Sequence, residues 1–276
     1  MNIVFQEYNP LPALMPYVEF FWEGKFNLAS DSLLTQRVVP NGYIELIIHL
    51  TDLHCELLQG QGFSPSPIYT LIGLFTKPYD VHFRGFVNVF GIRFKPEGFH
   101  PVFRVPAAEI QEEFADVADL TGRKFREFCA SLREQTTGTS RIAITEKFLL
   151  ENLHRNKVNL NYLNRAVELI RHHKGLITVD ELAGKVFIST RQLEREFKQK
   201  LGISPKQYLR IARLNEVNRL LENGEELDLT GISYESGFAD QAHFIRNFKN
   251  FTGASPRVFV KKRGEFIVNV GQAVGS

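Results

Sequence analysis

Hydrophobic positions change their spacing once along this chain. Over the first hundred residues they come in short runs rich in β-branched and aromatic side chains: VEFFWEGKF (18–26), YIELIIHL (43–50), IYTLIGLF (68–75) and FVNVFGIRF (86–94). PNG (40–42), QGQGFSPSP (59–67) and KPEG (95–98) separate these runs with turn chemistry, so the runs read as strands. In FVNVFGIRF, alternation sends Phe86, Phe90, Ile92 and Phe94 to one face and Val87 and Val89 to the other. Apolar residues on both faces imply a strand covered on both sides, as in a barrel or sandwich packed against helices.

From Pro106 the period becomes about 3.6. AAEIQEEFADVADL (107–120), GRKFREFCASLREQ (122–135) and SRIAITEKFLLENL (140–153) place apolar residues three and four apart, which predicts helices with one buried face. HRNKVNLN (154–161) is polar and aperiodic and reads as a linker. The expected organisation is a first domain at 1–158, β-rich over 1–105 and helical over 106–154. A helical domain follows at 162–262, then a tail at 263–276 that is either loose or docked as a strand. The fold class is therefore an α+β N-terminal domain (β-barrel or sandwich-like, with helices) followed by an all-α domain.

The C-terminal half contains a repeat. REFKQKLGISP (195–205) aligns with RNFKNFTGASP (246–256) at an offset of 51 residues, and VDELAGKVFIST (179–190) aligns with LTGISYESGFAD (229–240) with one extra residue in the second turn. One supersecondary unit is used twice. Each copy reads as helix, tight turn, helix, at about 178–201 and 229–252. Thr178 or Asp180 caps the first helix, Ser189 and Asp240 cap the second helix of each copy, and Gly202 and Gly253 stop it. The helix 205–224 joins the copies, with Tyr208, Ile211, Leu214, Val217 and Leu221 in register.

A helix-turn-helix offers the first turns of its second helix to the DNA major groove. Exposed there are Arg191, Glu194 and Arg195 in the first unit and Gln241, Ala242, His243 and Arg246 in the second. Arg pairs bidentately with guanine, Glu accepts from cytosine and Gln suits adenine. Thr190, Lys198, Lys206, Lys249 and Arg257 border these helices as phosphate contacts. For any one cation the competing interpretation is a solvated face, or an arginine paired with a carboxylate. That interpretation weakens for Arg195 and Arg246, which occupy the same place in both copies.

At this point the sequence resembles the C-terminal DNA-binding domain of the AraC/XylS family of bacterial transcription regulators. ISTRQLEREFKQKLGISPKQYL and ISYESGFADQAHFIRNFKNFTGASPRVF carry the likeness, which covers about 165–262. The resemblance implies seven helices, two recognition helices held by one connecting helix, and base reading by Arg191, Glu194, Arg195, Gln241, His243 and Arg246. Two positions depart from the pattern: Phe187 in the first turn, where a small residue is usual, and Gly231 inside a helix. PNGYIELIIHL and FGIRFKPEGFHPVFRVPAAEI resemble an N-terminal domain found on a subset of these regulators whose ligands are largely undefined. No effector-binding residue carries over.

Charge and composition add modest support. Residues 1–160 hold 15 Lys/Arg against 18 Asp/Glu, whereas residues 161–276 hold 18 against 13, a basic half beside an acidic one. No run approaches the roughly 18 apolar residues of a membrane span. MNIVFQEYNP lacks the basic-then-apolar pattern of a secretory signal, so a cytoplasmic location is expected. Cys55 and Cys129 are too few for a disulfide framework or a four-thiolate zinc site. His49, His54 and Cys55 lie close in sequence, but strand alternation puts His54 on the opposite face. QGQGFSPSP lacks the GK[ST] ending of a phosphate loop and is expected to be flexible. His172 and His173 are expected to face solvent at a helix end. Neither catalysis nor a cofactor or metal is expected. The implied partners are double-stranded promoter or operator DNA, RNA polymerase, an unidentified small-molecule effector and a second copy through the N-terminal half. Two other classes stay open: an enzyme or repair protein tethered to DNA by its basic half, and an interaction protein whose β half is chiefly a dimer interface.

Overall fold

The structure is a computed structural model that describes residues 2–29, 32–52, 55–59, 62–110, 114–117, 122–156, 161–223 and 228–267. Nine strands lead the chain: β1 (Asn2–Tyr8), β2 (Val18–Asn27), β3 (Leu33–Val38), β4 (Ile44–His49), β5 (Glu56–Gln59), β6 (Gly62–Pro65), β7 (Tyr69–Ile72), β8 (Tyr79–Arg84) and β9 (Phe86–Phe94). A short β10 (Phe114–Asp116) and a C-terminal β11 (Phe266–Ile267) complete two sheets. One has the order β1-β2-β9-β4-β7-β10 and the other β11-β3-β8-β5-β6. Every pairing is antiparallel except that of β11 with β3.

The sheets face one another across an aromatic interior. Phe26 of β2 stacks on Phe83 of β8 with ring centroids 4.4 Å apart, among Trp22, Leu57, Val81, Val87 and Val89. Trp22 stands opposite Gly91 on β9. A Cβ at Gly91 would lie 1.9 Å from the indole, so only glycine lets the ring cross that strand. The indole N–H donates to Glu45 at 3.2 Å, and Glu45 forms a buried ion pair with Arg93, its cross-strand partner on β9. The second face of the same sheet, with Phe21, Ile44, Leu46, Ile48, Phe90, Ile92 and Phe94, packs under helices. These include α1 (Pro96–Phe103), α2 (Arg123–Glu134) and α3 (Gly138–Asn156).

Seven further helices follow among the described residues: α4 (Asn161–His172), α5 (Val179–Lys185), α6 (Thr190–Leu201), α7 (Pro205–Asn223), α8 (Leu229–Glu235), α9 (Gln241–Thr252) and α10 (Pro256–Lys261). Their apolar faces join the sheet-and-helix layer in one continuous core. Contacts between the halves include the Arg171–Glu97 ion pair at 3.3 Å, Lys200 Nζ with His100 Nε2 at 3.4 Å, and Asn215 donating to Asn41 O at 2.8 Å. The chain is thus α+β at its N-terminal side and all-α at its C-terminal side.

Several expectations fail, each for a tertiary reason. The helix over 107–120 is instead a 3-10 turn, Ala107–Ile110, and the edge strand β10, where Phe114 pairs with Ile72; residues 111–113 and 118–120 lie outside the described set. A sheet edge satisfied that segment's backbone where its apolar spacing suggested a helix. KPEG is not a turn, because Pro96 opens α1, a position where its missing N–H costs nothing. QGQGFSPSP is not simply a flexible loop: Gly62–Pro65 pairs with Glu56–Gln59, and Gln59 stands opposite Gly62. Phe86 starts β9 but is exposed, unlike Phe90, Ile92 and Phe94. Of the tail, Phe266 and Ile267 dock on β3, while 268–276 fall outside the described residues, as does 157–160 of the linker.

Candidate nucleic-acid interface

Local chemistry sets both helix-turn-helix units. Thr178 caps α5 through a reciprocal box with Glu181, whose carboxylate accepts from the Thr178 N–H at 2.9 Å. Those hydrogen bonds hold the Glu181 carboxyl below the usual range. Ser189 accepts from Gln192 N at 3.2 Å to start α6, and Gly202 ends it in the left-handed region at φ +80°. In the second unit Asp228 accepts from Thr230 N and Gly231 N, Asp240 accepts from His243 N at 2.7 Å, and Gly253 repeats φ +80°. Each cap satisfies donors that a helix start otherwise leaves open.

Burial then orients the helices. Leu193, Phe197 and Leu201 of α6, and Phe244, Phe248 and Phe251 of α9, are buried. On the opposite face Arg191, Glu194, Arg195 and Lys198 form one exposed stripe at helical spacing, and Gln241, Ala242, His243, Arg246 and Lys249 form another. Lys206 and Arg257 are exposed as well. Two of the border residues have intramolecular partners. The Thr190 hydroxyl donates to Asp180 at 2.8 Å, pinning the start of α6 to α5, and Lys198 Nζ donates to Gly202 O at 3.0 Å at the end of its own helix. Arg195 reaches Glu196 only at 3.4 Å and its side chain stays 60% exposed. The His243 ring stands edge-on to Phe238, centroids 5.7 Å apart, which fixes the imidazole beside the turn.

Residues 182–262 match a helix-turn-helix domain family. A solved transcriptional regulator from Chromobacterium violaceum, described by its AraC-type DNA-binding domain, is 32% identical; the match covers 38% of this chain and 93% of that one, with a TM-score of 0.35. The transcriptional activator RhaS of Escherichia coli O1:K1 is 31% identical over 165 residues, 59% of this chain and 54% of RhaS. The C-terminal half of the chain holds a helix-turn-helix domain similar to the one these regulators carry.

The chain spans about half the length of the curated relatives it matches. In its N-terminal half, residues 6–116 match a domain of unknown function (DUF6597). ToxT from Vibrio cholerae shares the overall fold at 12% identity and a TM-score of 0.50, over 87% of this chain and 98% of that one. The seven helices implied by the AraC/XylS resemblance are α4 to α10. The departure at Gly231 has a local cause: a Cβ there would meet the Asp228 carboxylate at 2.3 Å, so glycine makes room for the cap. Phe187 holds φ +59° and is 93% exposed, whereas the aligned Gly237 holds φ +66°. Nothing in the structure explains the phenylalanine.

Sequence reasoning missed Arg213. It donates to Gly175 O at 3.1 Å and lies 5.7 Å from the Phe238 ring centroid, joining α7 to the second unit. No spacing rule marks such a contact. Elsewhere, His49, Cys55 and Ser66 converge behind the β-sheet: Ser66 Oγ lies 2.9 Å from His49 Nε2, and Cys55 Sγ 3.9 Å from the same nitrogen. Burial pushes the Cys55 thiol up to about 11, which keeps it protonated and a poor nucleophile. His54 lies outside the described residues, and no group of three or more His, Cys, Asp or Glu suited to a metal occurs among those described. His172 is exposed and His173 half-buried at the end of α4.

Proposed function

We propose that this chain is a sequence-specific DNA-binding transcription regulator modulated by a ligand or partner at its N-terminal half. The observation that carries the reading is the pair of capped helices α6 and α9, joined by α7, each with an exposed polar stripe opposite its buried face. In this reading residues 1–158 sense or dimerise and residues 162–262 bind DNA. Arg191, Glu194, Arg195, Gln241, His243 and Arg246 read bases, while Thr190, Lys198, Lys206, Lys249 and Arg257 hold phosphates, Thr190 and Lys198 releasing their intramolecular bonds to do so. The relatives' description as transcriptional activators supports contact with RNA polymerase as the output. Exposed Val4 and Phe63 on the edge strands β1 and β6 suit pairing with a second copy. No helix among the described residues is long and apolar enough to cross a membrane.

Because both readers sit in one chain and differ in sequence, a monomer should read two unlike half-sites about 34 Å apart. Selection of random duplex DNA by the full chain at about 150 mM salt tests this. An enriched, asymmetric, bipartite motif is expected. Retention without enrichment means that positive charge alone binds, and ends the sequence-specific reading.

A further inference from the structure

Among the described residues, two of the cavities away from the exposed faces of α6 and α9 stand out. The one between the sheets is lined almost wholly by apolar groups such as Trp22, Phe83 and Val89, and has a volume of about 80 Å³. A single water takes on the order of 10–15 Å³ by this measure, so that interior holds a few small groups. The second is a cleft of about 360 Å³ between the N-terminal half and helices α4 and α7, inside the roughly 300–1,000 Å³ range of metabolite sites. Volume selects the cleft.

Its lining mixes apolar surface with polar groups that are incompletely satisfied. Asn218 of α7 is 1% exposed, yet neither its amide nitrogen nor its oxygen has a hydrogen-bond partner. Arg171 donates through Nε to Tyr208 at 3.3 Å and through Nη1 to Glu97 at 3.3 Å, and its Nη2 is buried without a partner. Asn215 uses its amide N–H on Asn41 O and leaves Oδ1 unmet. Buried polar atoms are costly to leave unpaired, and three side chains do so around one cleft. The lining carries charge as well. Lys174 and Arg219 pair with Glu216 at 2.7 and 2.6 Å, and Arg171 pairs with Glu97. Arg171 and Lys174 thus bring positive charge to the lining, Lys174 from a half-exposed position.

We infer that this cleft is an effector site for a small hydroxylated anion, a carboxylate or a phosphate. Arg171, through its unpartnered Nη2, and Lys174 take the anionic group, the Asn218 amide and Asn215 oxygen take hydroxyls, and the Tyr43 and Tyr208 rings form the walls. The inference gives a place to the effector of the proposed regulator and rests on that reading only for its consequence. Asn41 and Tyr43 belong to the turn before β4, and α7 carries both helix-turn-helix units. A ligand that touches both favours one placement of the readers on the N-terminal half.

Calorimetric titration of the full chain with gluconate, glucose 6-phosphate and, as the neutral control, glucose tests the site. Saturable binding of at least one anion is expected, with glucose about tenfold weaker or worse. A response to gluconate alone assigns a carboxylate, and a response to glucose 6-phosphate alone a phosphate. Asn218→Leu replaces the unpartnered amide by a group of similar size, so it should weaken the anion about tenfold without lowering the melting temperature. If that variant does not fold, Lys174→Met at a half-exposed position should weaken the anion similarly. Absence of binding by both anions up to about 10 mM, or unchanged affinity in the variant that folds, overturns the site. DNA selection on the same preparation separates the two readings. Lost sequence preference with intact anion binding removes the regulator and leaves the cleft, and the reverse removes only the cleft.

Discussion

The two helix-turn-helix units are one backbone device carrying different surfaces. Ser189 and Asp240 cap equivalent helices, Gly202 and Gly253 end them at the same φ of +80°, and Phe197 and Phe248 fill equivalent core positions at 0% exposure. The outward faces share little: Arg191, Glu194 and Arg195 on one, Gln241, His243 and Arg246 on the other, with only the last arginine of each set in common. Their surroundings differ too. The first unit rests on the N-terminal half through Gly202 against Ala107 and Lys200 against His100, while the second approaches it where Arg37 lies against Gly253. The caps, stops and core phenylalanines coincide while the outward side chains differ, so an asymmetric site is what the proposed function predicts.

Core equivalence predicts the largest effect. Phe197→Ala and Phe248→Ala should each cost about 3–5 kcal/mol of stability in chemical denaturation followed by circular dichroism. A loss from Phe248→Ala less than half that from Phe197→Ala would show that the second unit is not held by the same packing. Next comes the reading face. Arg195→Ala and Arg246→Ala should each cost roughly 1–3 kcal/mol of specific affinity and relax one base position, in different half-sites. Equal loss on specific and random duplexes in a binding titration would assign both arginines to phosphates.

The turns should respond in opposite directions, by about 1 kcal/mol each. Phe187→Gly relieves a left-handed phenylalanine that buries nothing and should raise the melting temperature. Gly237→Ala should lower it, since its Cβ would come within 2.6 Å of Leu176 Cδ2. Matching shifts in both variants would mean that the strain is not equivalent.

The smallest effect concerns pH at the contact only the first unit makes. Burial, then Lys200, holds the His100 imidazole below its ordinary value of 6.5. Lys200 donates to Nε2, which requires the neutral ring. The unfolded chain therefore takes a proton that the folded chain refuses. This contribution is complete above pH 6.5 and declines as pH falls from there toward the lowered value. Melting temperatures at about pH 7.5 and 5.5 should differ less in His100→Gln than in the parent; an unchanged difference excludes this contact as the cause.

Much of the helical half was legible from residue order. The stretch from Thr190 to Leu201, with its Ser and Gly bounds, and the stretch from Pro205 into the long helix emerged from caps and spacing, because these signals act within a turn of where they are read. FVNVFGIRF was legible for a similar reason, its alternation being local. The failures lie where a segment's partner is distant. Ile110, Phe114 and Val117 have helical spacing, yet Phe114 and its neighbours pair with β7. Phe266 and Ile267 looked partnerless until β3 supplied an edge. The cleft was invisible for the same reason: Tyr43, Arg171 and Asn218 are spread across the chain and no spacing connects them.

Residue order was therefore enough to establish the duplicated units, their caps and stops, the stripe each turns to solvent, and their likeness to AraC-type DNA-binding domains. All of these follow from interactions no longer than a helical turn, repeated twice. Folding settled the rest: which strands share a sheet, that the C-terminal strand returns to β3, and that Arg171, Asn215 and Asn218 meet around a polar cleft. Those outcomes depend on burying apolar faces against segments far away in sequence, and the polar atoms left unmet are a product of that burial.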